Sequence, residues 1–118
     1  MSQDFLERLT SLASEVEGAT GTALVGLDGI QIESLSQGLD SVNAGAEFAS
    51  ILGDSLKASQ DLNLGRMKTL SVLTSRGNLF FSLLKSDYFL MLAAENRGNW
   101  GRGRYKLSDY ARKLEEEM

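Results

Sequence analysis

The side chains of this chain that could do chemistry are carboxylates, lysines, arginines and hydroxyls, because the sequence holds no His and no Cys. Without His, no group titrates near neutrality for general base work, and no Ser-His-Asp arrangement can form. Without Cys, there is no thiolate nucleophile, no disulfide and no thiolate zinc site. Carboxylate pairs occur at Asp54 and Asp61 and at Glu15 and Glu17. No convergent pocket goes with them, and they read as ordinary solvated faces. Gly18, Gly21 and Gly26 suggest a phosphate loop by composition, but they precede a hairpin and lack the Gly-Lys-Ser/Thr that would hold phosphates. The stretch Gly98-Asn99-Trp100-Gly101-Arg102-Gly103-Arg104-Tyr105 resembles an arginine- and glycine-rich RNA segment. Arg102 and Arg104 could also act on a partner's nucleotide. The apolar residues of this segment recur at three and four, so it reads instead as a helix entry with a solvated basic face. No catalytic residue, cofactor or metal ligand is assigned, and the expectation is a protein that is not an enzyme.

The elements that carry these residues belong to one small domain spanning residues 1–118. Hydrophobic residues make up 42% and charged residues 24%, which is globular composition. Proline is absent, so the twelve Gly do the turn-making alone. No apolar run approaches the roughly 20 residues of a membrane span, and the amino terminus lacks a basic region that would mark a signal peptide. No membrane insertion and a cytoplasmic location are expected. The net charge of −4 argues against nucleic acid as a partner. The charge is uneven: residues 1–63 carry two basic and ten acidic residues, and residues 64–118 carry ten basic and six acidic. Such a surface could steer a partner electrostatically.

A helix is expected first, from the stripe of Phe5, Leu6, Leu9, Leu12, Ala13 and Val16. Ser2 or Asp4 would cap it and Gly18 would stop it. Residues 22–27 then form a strand apolar on both faces, and residues 30–34 form an alternating one. Asp28-Gly29 between them predicts a two-residue type I′ turn. After Gly38, Asp40 or Ser41 can cap a second helix running to about Asp61. Its stripe is Val42, Ala46, Ala49, Leu52, Gly53 and Leu56, and Gly45 also lies within this helix in sequence. Two glycines inside a helix each cost about 0.5–1 kcal/mol relative to Ala. They return either close approach of a second backbone or close packing on the chain's own sheet, and spacing alone leaves both open. Residues 67–74, 78–84 and 88–94 predict three more strands joined by short turns. A last amphipathic helix runs from Asn99 to Glu117, with Glu115, Glu116 and Glu117 at the unfavourable end of the dipole, so its last turn is expected to fray.

The order is αββαβββα, an α/β (α+β) fold. The two doubly apolar strands should be central and adjacent, giving a mainly antiparallel five-stranded sheet of order 2-1-5-4-3. Helix two covers one face, and helices one and three cover the other. The third strand is then a long bare edge with only Lys68 to blunt it, open to pairing with another chain. That edge and helix two are the candidate dimer interface: Val42, Gly45, Ala46, Ala49, Leu52, Gly53, Leu56, Met67, Thr69, Ser71 and Leu73.

The succession of residues 18–34 (GATGTALVGLDGIQIES), 44–56 (AGAEFASILGDSL), 64–73 (LGRMKTLSVL), 79–94 and 99–107 (NWGRGRYKL) resembles the Roadblock/LC7 family. The LVGLDG hairpin and the run Asn99, Gly101, Arg104 carry it most specifically, and it spans nearly the whole chain. The resemblance implies homo- or heterodimers whose sheet continues through the third strand and second helix. It implies a non-enzymatic scaffold or regulator, with bacterial relatives that partner Ras-like small GTPases and eukaryotic ones that serve as dynein light chains or lysosomal scaffolds. In the bacterial type, the dimer grips one GTPase through the helix-two layer and promotes hydrolysis by rearranging the GTPase's own residues. By resemblance, Glu47, Asp54, Lys57 and Gln60 would face that partner. A structural dimerisation subunit of a motor or sensory complex, without a GTPase, is the alternative. A small-molecule sensor of similar shape would need a lined cavity, against which the densely apolar strands argue.

Overall fold

The computed structural model describes residues 5–36, 41–85, 87–96 and 100–118. The caps expected at Ser2, Asp4, Asp40 and Asn99, and the break at Gly38, lie outside the described residues. The elements in order are α1 (Phe5–Glu15), β1 (Ala19–Gly26), β2 (Gln31–Ser36), α2 (Ser41–Asp61), β3 (Thr69–Leu73), β4 (Asn78–Leu83), β5 (Tyr88–Ala94) and α3 (Trp100–Glu117). The five strands form one antiparallel sheet in the order β2-β1-β5-β4-β3, as the two-sided burial of β1 and β5 demands.

Each face of the sheet has its own core. On one, Leu9, Leu12 and Val16 of α1 and Leu107, Tyr110, Ala111 and Leu114 of α3 pack on Leu24, Phe80, Leu90 and Leu92. On the other, Ala49 and Leu52 of α2 pack on Ala23, Val25, Phe81, Phe89 and Met91. Alternation along each strand sends successive side chains to opposite faces, so β1, β4 and β5 feed both cores at once. Thr22 is the polar exception on β1; its buried hydroxyl donates to the Leu9 carbonyl at 3.1 Å and ties α1 to the sheet.

The hairpin after β1 differs from the expected type I′ turn. Gly29 has φ of 88°, while Asp28 is not in the left-handed region. The Gly29 N–H donates to the Gly26 carbonyl, the Gly26 N–H donates to the Ile30 carbonyl, and the Asp28 carboxylate accepts from the Ile30 N–H at 3.0 Å. This is a three-residue loop, a type I turn closed by a glycine bulge. An Asp can close such a turn with its own side chain, and only one left-handed residue is then needed.

The end of α2 is set by Asn63. Asn63 takes φ of 61°, Leu64 N–H donates to the Ser59 carbonyl and Asn63 N–H to the Gln60 carbonyl. This pairing is the Schellman closure of a helix end. At the other helical end expected to fray, α3 stays regular to Glu117. Arg8 of α1 grips the Glu117 carboxylate with Nε at 2.9 Å and a second nitrogen at 3.2 Å, and the Glu115 carboxylate accepts the Lys85 N–H at 2.8 Å. Tertiary partners thus offset the unfavourable dipole position of these acids.

Candidate protein–protein interface

β3 has one neighbour, β4, so one side of its backbone is open. The Lys68 carbonyl accepts from Leu83 N–H at 2.9 Å, and Thr74 N–H donates to the Gly77 carbonyl at 3.1 Å. In an antiparallel ladder these bonded pairs alternate with pairs that point away. Residues 68, 70, 72 and 74 therefore bond inward, and the N–H and C=O groups of Thr69, Ser71 and Leu73 face outward. The side chains of these three are also exposed. Leu70 and Val72 alternate with them and turn to the α2 side of the sheet, where they are half-buried.

That side is only partly roofed. α2 lies over β1 and β2, and its Phe48 reaches Phe81 of β4 with ring centroids 5.0 Å apart. Beyond that contact Met67, Leu70, Val72 and Leu79 form a half-buried apolar shelf leading to the open edge. Ile51, three residues along the helix from Phe48, stays 45% exposed. An apolar shelf continuous with unpaired backbone is the surface a sheet offers to another polypeptide.

The residues assigned to the interface from the sequence divide between three places. Met67, Thr69, Ser71 and Leu73 lie at the open edge. Gly45, Ala49 and Leu52 turn to the chain's own sheet: Ala49 is 3% and Leu52 0% exposed, and a Cβ on Gly45 would lie 3.2 Å from both methyls of Val25. Leu56 is half-buried on the same stripe. Ala46 borders the β1–β2 turn, where its Cα lies 3.7 Å from a Cβ built on Gly29, and Gly53 lies seven residues along the same flank of the helix. A Cβ on Gly53 would meet nothing within 4 Å. The side chain of Val42 lies outside the described residues. Phe48, Ile51, Leu70, Val72 and Leu79 complete the shelf. Ile51 carries a signal in the sequence, being a large aliphatic residue off the helix stripe. The other four are indistinguishable there from core.

Glu47, Asp54, Lys57 and Gln60 are all exposed on α2. Lys57 pairs with Asp61 at 3.1 Å along the helix, a contact worth a few tenths of a kcal/mol at a solvated face. On the far face α1 and α3 are joined by Glu15, which accepts from the Tyr110 hydroxyl and from Lys106 Nζ at 3.1 Å. The Tyr110 hydroxyl, then Lys106, hold the Glu15 carboxyl below the usual carboxylate range; burial, then the Glu15 carboxylate, raise the Tyr110 phenol. Both carboxylates of the Glu15/Glu17 and Asp54/Asp61 pairs serve in ion pairs or solvent, with no shared cavity. Among the described residues no group of three acidic side chains is placed to hold a metal, and no helix is long and apolar enough to cross a membrane.

A single antiparallel sheet in this order, with one helix on one face, two on the other and an open third strand, defines a class of small α/β domains. The model of the Roadblock/LC7 domain family matches residues 5–94, and the chain belongs to that family. Among solved structures, MglC from Myxococcus xanthus is 32% identical, with 98% of this chain and 100% of that chain covered and a TM-score of 0.70. Myxococcus xanthus MglB superposes with a TM-score of 0.85 at 16% identity over 98% and 97% of the two chains. The gliding protein MglB of Thermus thermophilus gives 0.81 at 15% over 96% and 89%. The two MglB likenesses speak to the fold alone. No curated protein matches the chain.

Proposed function

We infer that this chain is a non-enzymatic, homodimeric adaptor that binds and regulates a Ras-like small GTPase. The observation that carries the dimer is the outward row of Thr69, Ser71 and Leu73 beside the unroofed shelf of Leu70, Val72 and Leu79. A second β3 running antiparallel would satisfy the row, and a second α2 would cover the shelf. The joined sheets then present two α2 helices side by side, with Glu47, Asp54, Lys57 and Gln60 on their outer surface. Family membership supports a GTPase as the occupant of that layer. The work of the dimer is to hold and reshape the GTPase, whose own groups carry out hydrolysis.

The test is titration of the purified chain against Ras-like GTPases from the same genome, each loaded with GDP or with a GTP analogue. Preferential binding of one loaded form is expected, weakened by Asp54→Lys together with Lys57→Glu. Absence of nucleotide-dependent binding to any of them, from a chain that sediments as a dimer, would leave the structural dimerisation subunit as the better reading.

A further inference from the structure

Ten of the twelve lysines and arginines fall into two groups. Arg8, Lys57, Lys106, Arg112 and Lys113 each hold a carboxylate within 3.3 Å. Arg66, Lys68, Arg76, Lys85 and Arg104 hold none among the described residues. Four of these five fall between residues 62 and 85, a stretch with no Asp or Glu. Arg104 stands on α3 one turn before Ser108, on the flank of that helix turned to β3. The uncompensated positive charge is therefore gathered around the β3–β4 hairpin and the facing side of α3. The α2 side carries Glu47, Asp54 and Asp61 against Lys57 alone.

A hollow of about 310 Å³ opens in the middle of this basic strip, lined by Lys68, Thr69, Ser82, Ser108, Arg112 and Glu115. Its floor holds an anomaly. Ser82 is only 6% exposed, yet among the described residues its hydroxyl has no hydrogen-bond partner. Buried polar groups are nearly always paired, and an unpaired one costs about 1–3 kcal/mol. Glu115 also lines the hollow, with its Oε1 accepting the Lys85 N–H at 2.8 Å. The other polar groups around it are mostly donors: three hydroxyls (Thr69, Ser82 and Ser108), the Lys68 ammonium and the Arg112 guanidinium.

We propose that this hollow and its basic rim take up an acidic, extended segment of a second partner protein, with one carboxylate seated against Ser82, Ser108 and Lys68. Arg66 and Lys85 line the depression that adjoins the hollow through Lys68 and Glu115. The hollow is built by a single chain on the face opposite α2, so it does not need the dimer. If the edge-paired dimer forms, two such sites flank one seam, and the adaptor joins a partner on each face.

The probe is a short fluorescein-labelled peptide rich in Glu and Asp, titrated by anisotropy against the full chain. Saturable binding of one peptide per chain is expected, weakening as salt rises. Lys68→Glu and Lys85→Glu, made singly, should each weaken it at least about fivefold by reversing a charge that faces the peptide, whereas Lys113→Glu, the same charge change on the far side of α3, leaves it within about twofold. Ser82→Ala should weaken binding about threefold while leaving thermal stability little changed, because the hydroxyl bonds no protein group among the described residues. No saturable binding, equal weakening by all cation variants, or an unchanged affinity in Ser82→Ala overturns the site. Tighter uptake of single-stranded oligouridylate than of the peptide also overturns it, in favour of a nucleic-acid surface. Sedimentation of the same samples keeps the two proposals apart: a dimer that ignores the peptide refutes only this one, and a single chain that binds it refutes only the dimer.

Discussion

Substitution of Ser71 by Pro isolates the open edge from the fold that carries it. The N–H of Ser71 points away from β4, so within one chain a proline there removes no ladder bond. Edge positions with an outward N–H are where sheets tolerate proline. Across a β3–β3 seam the same change deletes one donor in each copy and places a ring against the incoming strand. At about 1 kcal/mol net for each lost bond, the dimer loses about 2 kcal/mol before any steric cost, or about 30-fold in Kd. Val72→Pro is the matched control, because its N–H faces Leu79 inside the sheet. That variant should lower the melting temperature of the hairpin and the chain, whereas Ser71→Pro should change it little. Sedimentation equilibrium over a concentration series reads the association, and thermal circular dichroism reads the fold. A Ser71→Pro chain that keeps the unaltered dimer constant refutes the edge assignment, and so does a parent chain that sediments as a single copy.

Two substitutions on α2 separate its flanks. Gly53→Ala should stabilise the chain by about 0.5–1 kcal/mol in chemical denaturation, because a Cβ there meets nothing and helical glycine is costly. Ala49→Arg should instead unfold the chain, since it forces a guanidinium into the core of Phe81, Phe89 and Met91. Stability should also fall on acidification through the folded-state pKa of Glu15. That pKa is depressed by the Tyr110 hydroxyl and Lys106, so the contribution is complete above the unfolded value and disappears as the carboxylate protonates. Glu15→Gln should flatten the acid limb of a melting-temperature profile, and an unaltered limb would count against the α1–α3 link.

The divided roles along α2 mark where sequence reasoning runs out. Its glycines and alanines announce close packing, and both a neighbouring backbone and the chain's own sheet are compatible with their spacing. Gly45 proves to be tight against Val25, while Gly53 is open. A helical wheel reports which residues share a stripe but not the rotation of the helix about its axis, which the packing of Phe48 on Phe81 sets. The acidic end of α3 teaches the same lesson. Local electrostatics predicts fraying, and Arg8, distant in sequence, reverses it.

Element order and strand order could be argued from the residues because burial on two faces leaves a period-free apolar run, and only central strands carry one. The bare third strand followed from the same logic. The residues on the outward side of β3, the unroofed shelf and the orphaned Ser82 hydroxyl depended on register and helix placement. Those are properties of how distant segments meet, fixed by packing rather than by any local pattern along the chain.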